Sequence, residues 1–82
     1  MNKITVMFHQ FTIKQDIILY SGDKIINKFA VDFDKVVETI ITLQKKYNLS
    51  EINLCGNLAF VCKFQNKLMN KFSNTNVQIN IL

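Results

Sequence analysis

Eighty-two residues, 49% of them apolar, with a net charge of +4 and a slightly positive mean hydropathy, are enough to bury one core. That balance excludes a disordered chain. The absence of proline excludes a proline-rich scaffold, and no apolar run is long enough to span a bilayer.

The first element is a strand. Ile4, Val6 and Phe8 alternate with Thr5, Met7 and His9, and the alternation runs on through Phe11 and Ile13. Lys14-Gln15-Asp16 reads as a turn, and Ile17 to Tyr20 as the second strand. Ser21-Gly22-Asp23 reads as a hairpin turn, with Gly22 supplying positive φ. Ile25 to Val31 is the third strand, with Ile25, Asn27, Phe29 and Val31 on one face.

A helix follows. Asp32 is placed to cap it, and Phe33, Val36, Val37, Ile40, Ile41, Leu43 and Tyr47 form one apolar stripe. Asn48 can take the left-handed conformation that ends a helix, with Leu49 folding back. Glu51 to Cys55 is a fourth strand, Gly56 permits a sharp turn, and Asn57 is placed to cap a second helix. In that helix Leu58, Val61, Phe64, Leu68 and Phe72 share one side, and Lys63, Lys67 and Lys71 form a stripe on another. Asn74-Thr75-Asn76 breaks the helix, and Val77, Ile79 and Ile81 alternate with Gln78 and Asn80 as the last strand.

The expected architecture is α+β: one domain over residues 1–82, a single mixed five-stranded sheet in the order βββαβαβ, and two helices packed on one face. The first three strands should form an antiparallel meander, and a right-handed crossover should join the last two in parallel. This order resembles the ribonuclease H-like fold, and Ile52-Asn53-Leu54-Cys55-Gly56-Asn57 is similar to its fourth strand and following turn. A ferredoxin-like or otherwise rearranged α+β sandwich is the alternative arrangement of the same elements.

The resemblance implies two-metal nuclease chemistry, with acidic residues on the first strand and at the end of the fourth. This chain departs from it. Ile4 to Phe11 contain no Asp or Glu, the fourth strand ends in Cys55, Gly56 and Asn57, and Glu38 is the one acid near a family position. The related sugar-kinase and actin-like ATPases use glycine-rich phosphate turns, which isolated Gly22 and Gly56 do not make. The expectation is therefore a protein with no catalytic, cofactor or metal residues.

Other candidate chemistry is thin. A Cys–His pair of His9 and Cys55 requires their strands to be neighbours. Cys55 and Cys62 do not have a metal spacing, and without a secretory signal they read as buried free thiols of a cytoplasmic protein. Up to Leu43 five lysines are matched by five acids; beyond it Lys45, Lys46, Lys63, Lys67 and Lys71 face Glu51 alone.

Two candidate contact surfaces result. Val77, Ile79 and Ile81 form an uncharged strand expected at a sheet edge, beside a half-covered sheet face carrying Met7, Tyr20 and Ile26. Lys63, Lys67 and Lys71, with Asn66 and Asn70, could follow a phosphate backbone, although the absence of Arg removes bidentate base readout. The functional expectation is a small non-catalytic binding or inhibitory protein acting through protein–protein contact. Its partner is a foreign protein or a second copy in a homodimer, with no membrane role. The alternative is a nucleic-acid-binding accessory protein. Usage rich in Ile, Asn, Lys and Phe is what AT-rich coding DNA produces, and points to a phage, plasmid or other mobile element of a low-GC bacterium.

Overall fold

The computed structural model describes residues 1–82. Its strands are β1 (Asn2–Phe8), β2 (Lys14–Ser21), β3 (Lys24–Asp32), β4 (Glu51–Gly56) and β5 (Gln78–Ile81); its helices are α1 (Val36–Tyr47) and α2 (Leu58–Lys71). They form one mixed sheet in the spatial order β3-β2-β1-β4-β5. The β1–β2 and β2–β3 pairs are antiparallel; β1–β4 and β4–β5 are parallel. The order of elements is the α+β sequence βββαβαβ.

The core follows from the two periods. Ile4, Val6 and Phe8 of β1, Ile17 and Leu19 of β2, and Ile52 and Leu54 of β4 are buried. They meet Val36, Ile40 and Leu43 of α1 and Val61, Phe64 and Leu68 of α2 in one cluster. Both helices therefore cover the same sheet face. The rings of Phe8, Phe33, Phe60 and Phe64 close one end of the core, with Phe8 and Phe64 stacked at 4.8 Å and Phe33 edge-on to Phe60 at 4.8 Å.

The helix ends are mostly as their residues dictate. Asn48 takes φ 51° and its N–H donates to the Gln44 carbonyl. Leu49 is buried behind it. The Asn57 side chain accepts the Phe60 N–H at 3.2 Å, capping α2. Asp32 differs from expectation. Its carboxylate makes no cap; it pairs with Lys14 Nζ at 2.7 Å on the neighbouring strand. The chain then enters α1 through a short 3-10 turn, Phe33–Lys35.

Three further expectations are corrected. β1 stops at Phe8, and Lys14-Gln15-Asp16 begin β2 instead of forming a turn. The connecting segment is His9 to Ile13, in which Phe11 is 90% and Ile13 75% exposed. Gln15 is the physical reason. Its side chain is 1% exposed, and its amide oxygen accepts the His9 N–H at 2.6 Å while its nitrogen donates to the Thr12 carbonyl at 3.0 Å. The His9 N–H and the Thr12 carbonyl are thus satisfied by Gln15 instead of by a strand partner.

Second, β3 does not keep one phase. A bulge lies opposite Leu19 and Tyr20, so that Leu19 pairs with Asn27 but Tyr20 with Ile25. Ile25 therefore shares the open face with Tyr20, while Asn27, Phe29 and Val31 face the helices, and Ile26 occupies the bulge. Third, Leu58 is 68% exposed. It sits in the first turn of α2, to one side of the stripe that Val61, Phe64 and Leu68 bury.

Candidate functional site

The sheet has two edges, and they differ. β3 carries Lys24 and Lys28 and the bulge beside it, and the Lys28 N–H is taken by the Asn27 side chain at 2.8 Å. These features protect an edge from pairing. β5 has none of them: its residues are Gln78, Ile79, Asn80 and Ile81.

The phase of β5 is set by its bonds to β4. The Gln78 N–H donates to Ser50 O at 3.0 Å and the Leu82 N–H to Leu54 O at 2.9 Å. By the alternation of a parallel ladder, the N–H and C=O of Ile79 and Ile81 point outward, away from β4. The side chains alternate the other way. Ile79 and Ile81 lie opposite the buried Ile52 and Leu54, on the helix side. Asn80 lies on the open face, where its Nδ2 donates to Asn53 Oδ1 at 3.1 Å and Asn53 Nδ2 donates to Glu51 Oε2 at 2.9 Å. Of the three residues assigned to the edge, Val77 precedes the strand, and Val77 and Ile79 pack partly on the core; Ile81 is more exposed.

The outer flank of α2 carries residues that the sequence pattern does not single out. Phe64, Lys67, Asn70 and Lys71 line a groove toward α1, together with Phe33, Asp34 and Val37. Leu58, Cys62 and Met69 fall on the opposite side of the buried stripe, and all three are exposed. α2 packs over β4 and β5, so this flank overhangs the free edge of β5. The sequence pattern puts Leu58 on the side of Val61, Phe64 and Leu68, and so hides the exposed line that it forms with Cys62 and Met69.

Lys63, Lys67 and Lys71, with Asn66 and Asn70, are exposed along α2. None is in an ion pair; the pairs present are His9–Asp16, Lys14–Asp32 and Lys35–Glu38. Lys67 Nζ lies 5.4 Å from the centre of the Phe64 ring. Lys67, Asn70 and Lys71 share the groove with Asp34, which offsets part of their charge.

His9 and Cys55 are not brought together as a pair. The His9 ring nitrogen bonds Asp16 Oδ2 at 2.9 Å. Cys55 lies beside Met7 in the β1–β4 ladder, and burial pushes its thiol above the ordinary value, the opposite of what a nucleophile needs. Both cysteines are free, but Cys62 is exposed and Cys55 only half-buried, because the first lies on the outer flank of α2 and the second on the open sheet face. Glu38 accepts from Lys35 Nζ at 3.2 Å on its own helix, and no three His, Cys, Asp or Glu side chains are gathered as a metal ion would require. No helix is long and apolar enough to cross a membrane. Comparison with family models, with curated proteins and with solved structures finds no match to this chain.

Proposed function

We propose that this is a small non-catalytic binding or inhibitory protein that acts in the cytoplasm through protein–protein contact along β5. One observation carries the reading. β5 is an edge strand with outward amide and carbonyl groups at Ile79 and Ile81, and it has no charge, proline or bulge to keep another strand away. The frame proposed alongside it is ribonuclease H-like, on the order of elements. Where that family holds carboxylates, β1 offers Ile4 to Phe8 and β4 ends in Cys55, Gly56 and Asn57. The AT-rich usage supports a phage, plasmid or other mobile element of a low-GC bacterium as the source.

The test uses a variant that alters the edge and little else. Ile81→Pro removes an outward N–H but leaves the inward bonds of Gln78 and Leu82 in place. Wild type and Ile81→Pro are used as bait in an extract of the native host. A partner retained by the wild type and lost by the variant is the expected result. A partner retained equally by both would place the contact elsewhere.

A second reading is favoured by the unpaired lysines of α2. If Lys63, Lys67 and Lys71 contact phosphates, log affinity for duplex DNA falls with log salt by a slope of ~0.9 per contact. Replacing all three with Gln then weakens binding alike across sequences. Absence of binding by the wild type at low salt excludes this reading.

A further inference from the structure

We propose that the partner of β5 is a second copy of this chain, paired antiparallel about a two-fold axis perpendicular to the sheet, with the outer flank of α2 as the other half of the interface. The inference rests on the edge-contact reading above and names its partner.

The geometry makes the surface self-complementary. A two-fold axis through the free edge sets β5 against its own copy, so the outward N–H and C=O of Ile79 and Ile81 have partners in both directions. The same axis keeps both helix layers on one side of the joined sheet. Each α2 then presents Leu58, Cys62 and Met69 to the same three residues of its partner. The side chains of Ile79 and Ile81 lie beneath them, on the helix side of β5. A four-residue strand alone buries little, and the α2 flank supplies the apolar area that it lacks.

Charge selects a second copy over an acidic foreign partner. The protein carries +4 overall, and two copies repel wherever their lysines meet. β5 carries no charge, and the three flank residues of α2 are apolar or thiol. Lys67 and Lys71 lie toward α1, on the far side of the helix, and would remain in solvent in the dimer; Lys63 follows Cys62 but points about 100° away from it round the helix. An acidic partner is drawn to those lysines and not to the seam. The seam is therefore the surface on which like-charged copies meet without opposed lysines.

Two substitutions attack the two halves separately, at exposed positions that leave the core intact. Ile81→Pro removes an outward donor of the strand, and Met69→Lys places a charge in the apolar helix flank that the dimer would bury. Sedimentation equilibrium from low to high micromolar protein should show a monomer–dimer equilibrium for the wild type. Each variant should raise its dissociation constant on the order of tenfold or more. Phe11→Ser, which removes an exposed apolar residue of the β1–β2 loop, should leave it unchanged. In a Cys55→Ser background, a flexible bis-maleimide should link Cys62 to Cys62 of the second copy, and Ile81→Pro should reduce the linked fraction at the same protein concentration. A wild type that stays monomeric at high micromolar concentration overturns self-pairing and leaves the capture of a foreign strand standing. A dimer that both variants leave intact overturns self-pairing through this surface. Amides of Ile79 and Ile81 that are protected from exchange in a strict monomer show the edge covered by the chain itself, and overturn the edge-contact reading as well.

Discussion

Gly56→Ala is expected to destabilise the protein by about 3–5 kcal/mol and to lower its melting temperature by roughly 15 °C or more. Two costs combine at this one position. Gly56 has φ +101°, which side chains other than glycine rarely adopt. A Cβ there would also collide with the carbonyl oxygen of Phe8, with the Phe8 nitrogen at 2.9 Å. Neither atom can yield, because Phe8 and Gly56 are opposed in the β1–β4 ladder and the Phe8 carbonyl accepts the Asn57 N–H at 3.0 Å. The close approach has a structural purpose. It turns the chain from β4 into α2 above Phe8, so that Asn57 caps the helix and Phe64 stacks on the Phe8 ring. Gly22→Ala provides the comparison. Gly22 has φ +62° but nothing within 4 Å of a built Cβ, so its replacement should cost about 1 kcal/mol. Thermal unfolding followed by circular dichroism measures both. Equal losses for the two would show that the Phe8 collision contributes nothing.

Gln15→Leu is expected to cost about 2–4 kcal/mol, although Leu is the more apolar residue at a buried site. Gln15 is among the least exposed side chains of the molecule, and its bonds go to the loop's backbone. Removing the amide leaves the His9 N–H without its acceptor and the Thr12 carbonyl without its donor. The Ile13 carbonyl keeps the Phe33 N–H at 2.9 Å. The damage should therefore concentrate at His9 to Thr12, with faster exchange of the His9 amide and earlier proteolysis within the loop. Phe11→Ser, at the exposed tip, should shift stability by less than about 0.5 kcal/mol. A Gln15→Leu protein as stable as the wild type would mean that solvent satisfies these groups and that the buried amide is dispensable.

These two residues also show what a sequence makes legible. Gly56 and Asn57 act through their own backbone and side-chain chemistry over one turn, and their roles were readable from residue type and place. So were the apolar stripe of α1 and the left-handed Asn48. Gln15 was read as a turn residue because it is polar and follows an apolar alternation through Phe11 and Ile13. Its burial depends on the loop it holds, and no periodicity records that. Asp32 has the chemistry of a helix cap, but Lys14 is brought beside it by strand pairing and takes the carboxylate. The alternation puts Ile25 on one face with Asn27, Phe29 and Val31, because a bulge of one residue leaves no trace in an alternating pattern. For the candidate site, the exposed edge of β5 was legible as an uncharged strand late in the chain. The flank of Leu58, Cys62 and Met69 above it was not, because the identity of an exposed apolar line emerges only when the buried one has been fixed.

β5 presents free backbone groups at alternate residues. Residue-resolved amide hydrogen exchange in dilute protein reads this pattern one residue at a time. The predicted result is an alternation: slow exchange at Gln78, Asn80 and Leu82, whose amides face β4, and fast exchange at Ile79 and Ile81, whose amides face outward. Equal protection at all five positions, independent of protein concentration, would show that β5 has no open edge for any partner to use.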